Sequence, residues 1–326
     1  MPDKTRRARR AGPRSSGPGP VELPEGVVRT TTGTVELVRE RGAPGSVTLM
    51  VNGVPSSHLD LEDPTRLEFE YMQQMAAVVD RLPEGPLDVV HLGAAGCAMA
   101  RWVDATRPGS RQLAVDIDDR LVTLVRAWFG LPRAPRLRLR AAEAREALAG
   151  QGDASADLVI RDVFAPDTTP AHLQTVEFTA DVARVLRPGG LYLANCADRP
   201  PLALARSEVA TVREVFGHVA LVAEPGQLRG RRYGNLVVAG TARQGLLDDA
   251  GLARALRSLP MPSRVLHGPD LTEFAGAGEV LTDGVPPPTG DLGTVLAAAP
   301  DDTRPRPPEQ TRPRGSRDQS GRTFSA

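Results

Sequence analysis

The chain has 326 residues, and its 40 basic and 40 acidic side chains cancel to a formal charge of +0. That length accommodates one large domain or two ordinary ones, each with its own core, and the charge balance disfavours a wholesale polyanion binder, so no nucleic-acid partner is expected. The two cysteines, Cys97 and Cys196, sit in apolar segments without a CxxC or Cys/His cluster, which argues against a disulfide framework or a structural zinc and fits a reducing compartment.

No apolar run approaches the roughly 18 residues needed to span a bilayer, and the N-terminus lacks the apolar core of a signal peptide. The expectation is a cytoplasmic protein with no membrane partner. Residues 1–24 combine Arg, Pro, Gly and Ser with almost no large apolar side chain and read as a disordered basic arm. Residues 284–326 read as a disordered Pro-rich tail.

From Val27 to Leu61 apolar and polar residues alternate, with breaks at Gly33, at Gly42-Ala43-Pro44-Gly45 and at Asn52-Gly53, the pattern of a small antiparallel sheet of hairpins. Leu67, Tyr71, Met75, Val78 and Val79 then recur at helical spacing, with Asp63-Pro64 expected to cap the helix and Pro83 lying beyond it. Residues 25–82 are thus expected to form a β-hairpin module with a linking helix.

Residues 83–283 alternate strands and helices. The expected strands are 87–93, 111–118, 136–143, 157–164, 191–197, 218–224 and 233–240. The helical segments between them are AMARWVDAT, RLVTLVRAWFG, TVEFTADVARVLRPGG and LARSEVATVREVF. This order predicts an α/β fold with a Rossmann-like, doubly wound, mostly parallel seven-stranded sheet, preceded by the small antiparallel module. Ser263 to Gly276 reads as a short strand followed by a capped helix. Such sheets bind ligands outside the carboxyl ends of their strands, which places candidate chemistry at 93–97, 116–118, 143–145 and 162–166.

Gly93-Ala94-Ala95-Gly96 follows a strand and opens a helix, where small residues let backbone N–H groups approach a ligand closely. Asp116, about 20 residues on, stands where an acidic side chain can accept from both ribose hydroxyls, and the two features together suggest a nucleoside-type cofactor. Asp118 reads as a helix N-cap. Cys97 reads as a small buried packing residue. Trp102 and Trp128 read as core, and the five dispersed histidines show no helical metal spacing, so no metal is expected. Tyr233 and Asn235, after the basic 229–232 loop, either line the pocket or begin an edge strand.

The glycine turn, the acidic second strand, Glu143-Ala144-Arg145 and Arg161-Asp162-Val163-Phe164 resemble class I S-adenosylmethionine-dependent folds. More closely, the stretch from the hairpins to Val238, with LMVNGVPSSHLDLEDPTRLEFEY at 49–71 and LVIRDVFAPDTTPAHLQTVEF at 158–178, resembles the spermidine/spermine synthase family of aminopropyltransferases. The resemblance implies that Gly93 and Gly96 lie against the methionine-derived part and ribose of decarboxylated (or intact) S-adenosylmethionine, that Asp116 holds the ribose hydroxyls, that Glu143 meets the adenine amino group, and that Ala94, Ile117 and Ala144 also line the cofactor. It implies that Asp162 touches the cofactor and acts as acceptor and base for an attacking small-molecule amine, that Ser56, Tyr71 and Tyr233 line the substrate side, and that a homodimer forms.

The chain departs from the family pattern at Ala165, where a second aspartate is usual, at Ser56 and Ser57, where a glutamine is usual, and in a less glycine-rich turn. Leu67, Glu68, Glu70 and Tyr71 match the family's helix spacing loosely. Two other readings therefore stay open: a methyltransferase using intact S-adenosylmethionine, and a non-catalytic nucleoside-binding homologue that lost its amine site.

Overall fold

A computed structural model describes residues 23–164 and 168–285, which fall within the compact unit Met1–Gly290. The arm at 1–22, the position of Ala165 and the tail at 286–326 lie outside the described residues. Four strands, β1 (Val27–Arg29), β2 (Thr34–Glu40), β3 (Ala43–Val51) and β4 (Val54–Asp60), form an antiparallel sheet in sequence order. Asn52 and Gly53 both adopt positive φ, 51° and 79°, which is what a two-residue hairpin with the twist of its strands requires. The expected break at 42–45 is confined to the turn at 41–42, because β3 already starts at Ala43 and absorbs the irregularity as a bulge opposite Arg39 and Glu40. Leu23, within the expected arm, is buried against this sheet.

Helix α1 (Glu70–Val79) begins later than the sequence suggests. Asp63 caps a turn of its own, accepting from the Thr65 N–H and hydroxyl, so the helix starts at Glu70, preceded by the extended Phe69 with no side-chain cap. Its buried residues, including Tyr71, Met75 and Val79, face the second sheet.

That sheet has eight strands in the order β12-β10-β11-β9-β8-β5-β6-β7. In chain order the elements are β5 (Asp88–Leu92), α2 (Ala98–Thr106), β6 (Arg111–Asp116), α3 (Asp119–Trp128), β7 (Leu137–Ala141), α4 (Ala144–Ala149), β8 (Ala156–Arg161), α5 (Val176–Val185) and β9 (Leu186–Asp198). Then come α6 (Ala203–Val215), β10 (His218–Ala223), the one-turn α7 (Pro225–Leu228), β11 (Gly234–Thr241), α8 (Ala250–Arg257), β12 (Arg264–His267) and α9 (Gly268–Ala275). Strands β7, β6, β5, β8 and β9 are parallel neighbours. β11 inserts antiparallel between β9 and β10, and β12 adds an eighth strand beside β10.

The strand expected at 191–197 starts at Leu186, since Pro188 and Gly189, the latter at φ +80°, extend the chain and shift the register against β8. Helices α1, α2 and α8 pack on one face of the sheet, and α4, α5, α6 and α9 pack on the other. Both faces of the central strands are therefore covered, which is why β8 and β9 carry continuous apolar runs, while the edge strand β7 alternates Leu and Arg. A third cluster joins the inner face of the N-terminal sheet to α3 and the Ala94–Ala100 segment. Among the described residues no helix is long and apolar enough to cross a membrane.

Candidate active site

The carboxyl ends of β5, β6, β8 and β9 meet below the N-terminal sheet. β5 is followed at once by Gly93, whose φ of +84° puts it where L-residues are strained, and a Cβ there would stand 2.0 Å from the Asp162 carbonyl oxygen. Only glycine allows β5 and β8 to come that close. The Gly93 N–H donates to the Val115 carbonyl, the Ala95 N–H to Asp116 Oδ2 at 2.9 Å, and the Gly96 N–H to Ser57 Oγ at 3.0 Å. The turn is thus locked before any ligand arrives, and Gly96 is needed because a Cβ would stand 2.8 Å from Leu59 Cδ1 and Ser57 Cβ of β4. Ala94 is buried beside it.

Asp116 accepts from the Asp118 N–H on its other oxygen, at 3.1 Å. Burial pushes its carboxyl above the usual range, while the N–H groups of Asp118, Ala95 and Ala94 pull it back down. Each oxygen retains a lone pair for a further donor. Beside it Ile117 is 64% exposed, an apolar side chain left uncovered next to the Asp116 carboxylate. The Asp116 acceptor capacity and the uncovered Ile117 side chain thus lie side by side at the carboxyl end of β6.

Asp118 is the N-cap of α3, accepting from the Leu121 N–H at 2.8 Å, as its position suggests. It also accepts from the N–H groups of Thr31 and Thr32 and the Thr32 hydroxyl. Burial pushes its carboxyl up, but the threonine and backbone donors hold it far below the usual range. The turn between β1 and β2 is thereby pinned beside Asp116, a link that sequence separation hides.

Glu143 caps α4, accepting from the Glu146 N–H at 2.9 Å, and pairs with His172 Nε2 at 3.0 Å. Partial burial raises its pKa and the His172 and backbone bonds more than offset this, leaving it lowered. Ala144 is buried in the core as the first residue of α4.

Asp162 follows β8 directly. Its Oδ2 accepts from the Tyr71 hydroxyl at 2.9 Å and its Oδ1 from the Asn195 amide at 2.8 Å. Burial drives its pKa up, opposed by the Asn195 and Tyr71 bonds and by the Arg161 charge. Burial and the neighbouring Asp162 push the Tyr71 hydroxyl well above its ordinary value, so it stays a donor. The result is a carboxylate held by two neutral donors in a place that disfavours its charge, so it binds a proton more readily than a free aspartate.

Tyr71 and Asp162 are therefore brought together although 91 residues separate them. Ser56 is turned to the Val54 carbonyl of its own hairpin, and the alternation of β4 puts Ser57 instead on the glycine turn. Tyr233 is 58% exposed just before β11, and Asn235 pairs with Ala197 in the ladder. Asn195 was not singled out from sequence. The available signal was an amide inside the apolar run LYLANCA. Cys97, at φ +61° and buried, has its thiol pushed up to about 12 by burial and by Asp116, consistent with a packing role.

No family model matches the chain. The crystal structure of a probable spermidine synthase from Corynebacterium glutamicum is 36% identical in sequence, covers 82% of this chain and 99% of its own, and superposes with a TM-score of 0.76. The chain belongs to the spermidine synthase family. Within this family's wider circle, the polyamine aminopropyltransferase of Chromobacterium violaceum is 27% identical over 143 residues, 43% of this chain and 53% of its own. The human eEF1A lysine and N-terminal methyltransferase is 29% identical over 147 residues, 41% of this chain and 21% of its own. The match spans about half the length of the curated aminopropyltransferase.

Proposed function

We propose that this spermidine synthase family member transfers an aminopropyl group from decarboxylated S-adenosylmethionine to an amine, with Asp162 as the acceptor of the amine's proton. The observation that carries this reading is the half-buried Asp162 carboxylate held between Tyr71 and Asn195 just after β8. Asp116 binds the ribose hydroxyls, Ile117 packs on the base, and Glu143 accepts from the adenine amino group after exchanging its His172 contact. The bound donor supplies a sulfonium whose adjacent methylene is open to displacement.

An ammonium arriving at Asp162 is attracted by the carboxylate and loses a proton to it. The freed nitrogen lone pair then forms the new C–N bond as the C–S bond breaks and its electron pair stays on sulfur. The protein's contribution is alignment as much as proton transfer, since holding amine and methylene in line supplies a large share of the rate. Tyr71 and Asn195 fix the carboxylate in that line.

Methyl transfer from intact S-adenosylmethionine is the second reading, favoured by the likeness to the human methyltransferase. Calorimetric titration with intact and decarboxylated S-adenosylmethionine and with methylthioadenosine, each with and without putrescine or spermidine, separates the two. Preference for the decarboxylated donor with product formed on adding amine is expected. Preference for the intact donor moves the function to methyl transfer, and no binding by any of the three leaves a scaffold without donor chemistry.

A further inference from the structure

Arg161 is the last residue of β8 and the neighbour of Asp162, and it is only 1% exposed, directly after the apolar run Leu158-Val159-Ile160. Burying a guanidinium is costly, and a well-packed hydrophobic residue often serves stability as well or better. Its contacts are specific. Nη1 donates to the Leu173 carbonyl at 2.9 Å, while Nη2 donates to the Asn195 carbonyl at 3.0 Å and to Glu208 of α6 at 2.6 Å. Asn195 is the residue whose amide aims Asp162, and Leu173 ends the short turn Ala171–Leu173 that also carries His172. One cation therefore ties the main chain of Asn195, whose amide donates to Asp162, to the main chain of Leu173.

We propose that the Arg161–Glu208 ion pair is a positioning device for Asp162: the guanidinium fixes the Asn195 and Leu173 main chain around the carboxylate and biases its protonation, and Glu208 limits that bias. The consequence for catalysis rests on the reading of Asp162 as the amine's proton acceptor. Glu208 keeps Arg161 charged against the opposing effect of burial, with its pKa raised. The other titratable groups facing the pair are Tyr192 and Cys196 of β9, with Asp198 facing Glu208. Those facing Asp162 are Tyr71 and Arg161.

The two charges have opposite signs, so removing them differently moves Asp162 in opposite directions. The test is the titration of the Asp162 carboxyl carbon by NMR in the full chain labelled at aspartate, with Asp162→Asn assigning the signal. In the double variant Arg161→Met, Glu208→Leu, the midpoint is expected to rise by about half a unit or more. In Glu208→Gln, which leaves the guanidinium uncompensated, it is expected to fall by a similar amount. Turnover in the double variant is expected to drop about ten-fold or more with donor affinity within about two-fold, the split of a group acting on the reacting geometry.

Unchanged midpoints in both folded variants overturn the proposal, as does a shift of the same sign in both. Should the double variant not fold, Glu208→Gln decides alone, and absence of a downward shift overturns it. Full turnover in Asp162→Asn refutes the functional reading without touching the titration result, so the two failures are distinguishable.

Discussion

Asp162→Asn isolates the chemistry from the architecture. The amide keeps an oxygen for the Asn195 donor, now 2.8 Å from Oδ1, and offers the Tyr71 hydroxyl an NH2 in place of the carboxylate oxygen at 2.9 Å, a contact that persists with the hydroxyl rotated to accept. Gly93 still packs on the Asp162 main chain, so β5 and β8 keep their approach. What disappears is one negative charge and one proton acceptor, a loss of about 10² to 10⁴ in turnover, or about 3–5 kcal/mol at 1.36 kcal/mol per decade.

Stability should not fall. Because burial raises the Asp162 pKa, its contribution to stability is fully present below the unfolded-state value and lost as pH rises through the folded value, so a neutral amide is tolerated at least as well at neutral pH. The assay pairs donor titration by calorimetry with steady-state kinetics and thermal unfolding. Expected are a donor Kd within a few-fold of the native chain, the turnover loss above, and a Tm no lower than native. In the native chain the acid limb of the rate profile should lie above that of an unperturbed aspartate and vanish in the variant. Parallel collapse of donor affinity, Tm and turnover would refute the assignment and make Asp162 a structural residue.

Tyr71→Phe removes a bond that lowers the Asp162 pKa, so the acid limb of the rate profile should move to higher pH while the chain stays folded; an unmoved limb would detach Tyr71 from the reacting carboxylate. Asp118→Ala deletes a helix cap and the tie to Thr31 and Thr32, a cost of about 2–3 kcal/mol from one cap and one or two hydrogen bonds. Since the Asp118 pKa is depressed in the fold, its stabilisation exists above the unfolded value and is lost as pH falls through the folded one. The stability gap measured by urea unfolding should therefore narrow towards acid pH, and a gap constant with pH would contradict the charge's role. Cys97, with its thiol pushed up to about 12, and buried Cys196, also shifted well upward, should resist alkylation at pH 8 until the chain unfolds; labelling of native protein would show an opening at the glycine turn.

The parallel sheet was legible because strands covered on both faces must be apolar along their whole length, and the helices between them must be amphipathic. The small N-terminal sheet was legible from alternation and from Asn52-Gly53, whose positive φ values only a tight hairpin needs. Boundaries were less so. Asp63-Pro64 carries a helix-start signature, yet the Asp63 side chain closes a local turn and α1 starts at Glu70. The signature is a short-range preference, and the packing of Tyr71 and Met75 against the sheet settles where the helix begins.

The site divides in the same way. Gly93, Asp116, Glu143 and Asp162 stand at strand ends, and strand ends of this fold converge, so their neighbourhood follows from order along the chain. Which donors meet Asp162 does not. Asn195 and Tyr71 arrive from β9 and α1, 33 and 91 residues away, and the choice of Ser57 over Ser56 at the glycine turn depends on which face β4 presents. The sequence by itself determined the elements and the end of the sheet where chemistry gathers, because periodicity and strand order are local properties. Only the tertiary structure decided the partners of each carboxylate, and with them the buried Arg161–Glu208 pair, because cross-strand register and the docking of α1 and α6 depend on the packing of the whole core.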